Sequence, residues 1–152
     1  MEFKTEKNFG NYWVKGIKNF KGHEGEPLFQ CSVYKNGKRI GFFSEDSWGG
    51  SAQLQSFSAE DEKTLRSFAN EFEGEEARSE SYHSFIAKIT TEIDIQRHFK
   101  RLCKTKTLFT TKGMDYGSYR TIKALYKGNE KQITDYLDKK YSDGYIIINT
   151  LI

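Results

Sequence analysis

A chain of 152 residues with 24 Lys/Arg, 21 Asp/Glu and three histidines carries a net charge of only +3, so the overall balance points to no class of partner. Its length suits one domain, and 15% aromatic residues supply a core and exclude intrinsic disorder. Two cysteines, Cys31 and Cys103, exclude a disulfide framework and a zinc site of Cys/His spacing, and no apolar run is long enough to span a bilayer.

In chain order, Tyr12–Phe20 reads as a strand, with Trp13, Lys15, Ile17 and Asn19 on one face and Val14, Gly16, Lys18 and Phe20 on the other. The turn-rich loop from Lys21 to Pro27 follows. Leu28–Lys35 alternates Phe29, Cys31 and Val33 with polar residues, the pattern of a half-buried strand. Asn36-Gly37 then predicts a two-residue hairpin, because both residues tolerate the positive φ of a type I′ turn. Lys38–Ser44 is the returning strand, and Gln53–Phe57 continues the meander. Ser58 before Ala-Glu-Asp-Glu predicts a helix start, with Leu65, Phe68, Ala69 and Phe72 on one face and Gly74 at its end. The polar segment 75–80 reads as a connection.

Tyr82–Lys104 has helical apolar spacing. That suits one long helix, or two helices with a break at the β-branched run Ile89-Thr90-Thr91. Thr105–Thr111 favours strand, Gly113–Gly117 turn, and Tyr119–Tyr126 strand. Asn129 with Gln132 predicts a capping box opening a helix through Ile133, Tyr136, Leu137 and Lys140, with Gly144 at C′. Tyr145–Asn149 has the composition of a buried last strand. The expectation is a single α+β domain over 1–152, with a mainly antiparallel sheet, an N-terminal hairpin meander and about three helices, and with 74–80 as the one candidate subdivision. The first residues lack the apolar core of a signal peptide, so a cytoplasmic protein with two buried free thiols is expected.

Charge is unevenly distributed: the balance is +4 over residues 1–44, −8 over 45–94 and +7 over 95–152. In the last segment Arg97, Lys100, Arg101 and Lys104 recur at three- and four-residue spacing, which lines them along one helix face. Lys106, Lys112, Arg120, Lys123 and Lys127 follow, interleaved with Phe109, Tyr116 and Tyr119. Cations for phosphates and rings for bases are the ingredients of a sequence-tolerant nucleic-acid surface; a solvated helix face and core rings are the ordinary use of the same residues. Trp48, beside Asp46 and two glycines, either presents its ring to a partner or folds back as a plug over the sheet edge.

Catalytic signatures are absent. None of His23, His83 and His98 has Ser or Thr two residues later, as twin-histidine phosphoesterases require, and neither a nucleophile elbow nor a Walker loop occurs. His23 beside Glu24, and Cys103 near His98 and Lys104, are the remaining candidates for chemistry. No catalytic residue, cofactor or metal is assigned, and oligomeric state is left open.

Phe20-Lys-Gly-His-Glu-Gly, Tyr34-Lys-Asn-Gly-Lys-Arg-Ile-Gly and Asp46-Ser-Trp-Gly-Gly, with Cys103-Lys-Thr-Lys-Thr-Leu-Phe later in the chain, resemble segments of small uncharacterised proteins of phages and prophages. The resemblance implies a non-enzymatic accessory protein that binds and inhibits a host complex, including nucleic-acid-targeting defence systems. Two alternatives stand beside it: a small nucleic-acid-binding protein using residues 97–127, and an enzyme with an unrecognised site.

Overall fold

β1 (Tyr12–Lys21), β2 (Pro27–Lys35), β3 (Lys38–Ser44) and β4 (Gln53–Ser56) pair in chain order as an antiparallel meander in the computed structural model of the protein, which describes residues 1–74 and 80–152. Asn36 and Gly37 take φ of 51° and 78°, and Lys35 pairs with Lys38 across them. This is the two-residue turn that Asn-Gly predicts. The uninterrupted alternation expected for β1 is corrected by a bulge. Lys15 faces Ser32 whereas Lys18 faces Gln30, so β1 carries one extra residue, and Gly16 accommodates it at φ 65°. Beyond the bulge the pattern slips: Val14 is buried, Lys15 and Gly16 are exposed, and Ile17 and Phe20 are half-buried.

The α+β class holds, with three α-helices and seven strands in two antiparallel sheets among the described residues. Contacts divide the chain into two units, Lys4–Thr91 and a second formed by Met1–Phe3 with Glu92–Ile152. The candidate boundary at 74–80 and the connection at 75–80 fall mostly on residues 75–79, outside the described residues.

In the first unit, α1 (Ala59–Glu73) starts as expected: the Ser58 hydroxyl accepts from the Asp61 amide at 3.1 Å, and Glu60, Asp61 and Glu62 occupy the first turn. Leu65 and Ala69 are its buried residues, and Gly74 caps it at φ 60°. The sheet's inner residues Tyr12, Val14, Cys31, Val33 and Phe43 are all buried. Their cover is aromatic. Tyr12 packs on Phe68 of α1 and on Phe85 of α2 (Ser81–Leu102), and Phe43 packs on Tyr82.

Of the two arrangements open for this stretch, the structure has the single long helix, and α2 is continuous through Ile89-Thr90-Thr91. Thr90 donates its hydroxyl to the Ile86 carbonyl at 3.0 Å, and Ile86 and Ile89 are fully buried. Burying one isoleucine is worth about 1.5–3 kcal/mol, against a few tenths lost per β-branched residue in a helix (~0.7 at most), so packing overrides propensity.

In the second unit, β5 (Thr107–Thr111) is central, flanked by β6 (Arg120–Ile122) and β7 (Tyr145–Ile147), both antiparallel to it. β5 is covered on both faces, and Thr107 to Thr110 are all buried. Phe109 packs with Ile133 and Leu137 of α3 (Glu130–Lys140), whereas Leu108 packs with Phe99 of α2 and with Ile148.

Four expectations for this unit are corrected. The strand expected over Tyr119–Tyr126 is only three residues long, because Ile122 already faces Thr107, the first residue of β5, whose hydroxyl holds the Ala124 carbonyl at 2.7 Å. The last strand stops at Ile147 and becomes a 3-10 turn over Ile148–Leu151. There the Asn149 side chain continues the ladder, accepting from the Leu108 amide at 2.8 Å and donating to the Lys106 carbonyl at 2.9 Å. The capping box at Asn129 does not form: its amide donates backward to the Leu125 carbonyl, and Glu130 takes the Gly128 amide. Finally α3 is capped by Tyr141, so Gly144 lies past C′ and closes the next turn through the Tyr141 carbonyl.

Candidate nucleic-acid interface

Phe99, fully buried, fixes the C-terminal turns of α2. The outward positions Arg97, Lys100 and Arg101 are exposed, as is Lys104 in the turn that follows. Among the described residues none of the four is ion-paired. Cations in the last helical turn complement the helix dipole by about 0.3–1 kcal/mol each, which gives Lys100 and Arg101 a structural use. It gives none to Lys104. Arg101 donates to His98 Nδ1 at 3.0 Å, and His98 Nε2 lies 2.9 Å from the Tyr119 hydroxyl. Since arginine is a donor only, Nδ1 accepts and Nε2 carries the proton given to Tyr119. His98 thus positions a cation and a ring; it does not activate Cys103, whose thiol is pushed up by burial.

Among the described residues of this unit, a groove and a cleft bring cations together. Lys100 and Lys104 meet Lys127 around a groove of about 420 Å³ floored by Cys103, Leu125 and Ile152. A cleft of about 630 Å³ opens between β6 and α3, lined by Tyr119, Arg120 and Thr121 on one side and Tyr136, Lys140 and Tyr141 on the other. Arg120 lies 5.9 Å from the Tyr141 ring centre. Lys140 lies 5.5 and 5.8 Å from those of Tyr136 and Tyr141, and its ammonium donates to the Tyr136 hydroxyl at 3.0 Å. That hydroxyl raises the Lys140 pKa.

The structure therefore gathers Lys100 and Lys104 in one depression and Arg120 in the other. Arg97, Lys106 and Lys123 are exposed and line neither. Of the interleaved rings, Phe109 is core, packed 5.3 Å from Tyr141, and the Tyr116 hydroxyl is bonded to Glu92. The cleft residues Tyr136, Lys140 and Tyr141 were not singled out from the sequence as binding residues. Tyr136 and Lys140 are a Tyr/Lys pair at i, i+4 that marks the run of α3 in the sequence, and Tyr136 is 47% exposed.

The other candidates lie in the first unit. Trp48 is not a plug: its ring is 73% exposed and stacks on His23, with centres 4.0 Å apart and planes at 24°. Asp46 folds its own loop, accepting from the Trp48 and Gly50 amides at 3.1 and 3.0 Å. Glu45 clasps two elements, taking the Phe29 amide with one oxygen and His83 Nε2 with the other, both at 3.0 Å. Among the described residues no hydrogen bond joins His23 to Glu24, and no group of three metal-ligating side chains converges. No helix among them is long and apolar enough to cross a membrane.

No protein-family model matches the sequence, and no curated protein and no solved structure is significantly similar to it.

Proposed function

We propose that this chain is a nucleic-acid-binding protein whose contact surface is the unit formed around Glu92–Ile152. The observation that carries the reading is the set of exposed cations without carboxylate partners, Arg97, Lys100, Arg101 and Lys104, in the same unit as a cleft that pairs Arg120 and Lys140 with tyrosine rings. Phosphate backbones recruit such cations because each contact releases condensed counterions, an entropic gain that falls as salt rises. The test is fluorescence anisotropy with a labelled oligonucleotide across a salt series. Affinity should fall steeply with salt. The triple variant Arg97→Glu, Lys100→Glu, Arg101→Glu should bind at least about ten-fold more weakly, with a log–log salt slope shallower by roughly 2 or more, at 0.7–0.9 per lost contact. Unchanged affinity would remove the reading.

A second reading, a phage-type accessory protein that occupies a host complex, is supported by Trp48. An exposed tryptophan held flat by a neighbouring ring is the kind of group that anchors a protein interface. A tagged chain should then retain a stoichiometric bacterial protein after nuclease treatment, and Trp48→Ala should release it. Retention equal to wild type would sink this reading.

A further inference from the structure

We infer that the cleft between β6 and α3 receives an unpaired nucleobase, so that the strand bound is single-stranded; the inference rests on the nucleic-acid reading. At about 630 Å³ the cleft is in the range of small-ligand sites and large enough for a base with its sugar. Its two rings differ in a useful way. Tyr141 is half-buried and backed by Phe109 at 5.3 Å, which fixes its plane, whereas Tyr136 is 47% exposed. Arg120 lies over the Tyr141 ring and Lys140 over both rings, at 5.5–5.9 Å; an incoming base displaces these cations from the ring faces toward its own flanking phosphates. β6 is the edge strand of its sheet, and all three of its residues line the cleft. Its outer backbone groups, unpaired by any strand, are therefore placed to meet the polar edge of a base.

A base inside a duplex has both faces stacked and its pairing edge occupied, so it cannot enter such a cleft without first being flipped out. An unpaired base enters freely and is sequence-tolerant, because every base has a π face. An acidic peptide would satisfy Arg120 and Lys140 but would leave the ring faces unused.

The experiment compares a labelled 15-nucleotide single strand with the duplex of the same sequence, by anisotropy at fixed salt. Wild type should bind the strand more tightly than the duplex. Tyr136→Leu with Tyr141→Leu should weaken strand binding about ten-fold or more, while leaving duplex affinity and the salt slope unchanged. Tyr136→Leu alone, at the more exposed ring, should give part of that loss without disturbing the Phe109 contact. Equal loss for strand and duplex, or no loss for either, would overturn the cleft assignment while the charge variants still test the broader reading. Binding of neither probe at low salt would remove that broader reading itself. If AMP alone binds as tightly as the strand, the ligand is a free nucleotide and the single-strand assignment fails.

Discussion

The two units differ in charge balance and in how many of their cations pack over rings. Residues 4–91 hold twelve Lys/Arg and thirteen Asp/Glu, and much of that positive charge is consumed internally. Lys15 lies over Tyr34, Lys35 over Tyr12 and Phe68, Arg39 over Phe57, Arg66 over Tyr82, and Lys88 over Phe72. Arg66 and Lys88 also meet Glu62 and Glu73. The other unit holds twelve Lys/Arg against eight Asp/Glu, and its cations are mostly unengaged. Arg120 and Lys140 lie over rings and Lys131 meets Asp135, but among the described residues Arg97, Lys100, Lys104, Lys106 and Lys123 do neither. A cation over a ring is worth about 0.5–1 kcal/mol at an exposed site. More of the first unit's cations pack over rings, and the second unit's excess of twelve cations over eight carboxylates is charge that a polyanion can use.

The units also differ in what holds them, and that difference can be broken by mutation. The first depends on ring packing: Phe85 is fully buried and touches Phe9, Tyr12, Phe68 and Phe72. Phe85→Ala should cost about 3–5 kcal/mol, measured by urea unfolding, because four neighbouring rings cannot all close the cavity. A loss under about 1 kcal/mol would mean the cluster repacks and is not the keystone of that unit. In the second unit the Asn149 side chain makes two bonds to the backbone, to Leu108 and Lys106. Asn149→Leu should cost about 1–3 kcal/mol, since it leaves a part-buried strand amide without its acceptor. Hydrogen exchange at the Leu108 amide should accelerate in this variant; unchanged protection would show that another group replaces Asn149.

How much of this could be read from the sequence follows the range of the forces involved. The Asn36-Gly37 hairpin and the Ser58 helix start were readable because each rests on local backbone chemistry. The continuity of α2 through Thr90 was left open between one helix and two, since burial of Ile86 and Ile89 decides it and burial is a tertiary fact. The bulge at Gly16 was hidden by the same logic: glycine permits it, but only the pairing of β1 with β2 requires it. For the candidate site, helical spacing was enough to place Arg97, Lys100 and Arg101 on an exposed face. The cleft was out of reach because Arg120 and Tyr141 are 21 positions apart and meet only through the pairing of β6 with β5 and the packing of α3.

The last effect expected is invisible at neutral pH and concerns two groups held near the same value for different reasons. Burial pushes the Cys31 thiol, in the first unit, from 9.0 up to about 12. In the second unit the Tyr145 phenol is pushed from 10.0 up to about 12, chiefly by its hydrogen bond to Asp138 at 2.7 Å. Both are neutral when protonated, and both hold the proton to higher pH in the folded state than in the unfolded chain. Their stabilising contributions are therefore complete below the unfolded values, 9.0 and 10.0, and are lost as pH rises toward about 12. Tyr145 is only half-buried, so solvent screens its share and makes it the smaller one. Urea midpoints measured between pH 8 and 12 should fall with a slope that begins near 9. Cys31→Ala should flatten the slope from that point, and Tyr145→Phe only above about 10. If Tyr145→Phe leaves the upper slope unchanged, the Asp138 bond is not maintained in solution. If Cys31→Ala leaves the lower slope unchanged, water reaches the thiol and the sheet core of the first unit is looser than its zero exposure implies.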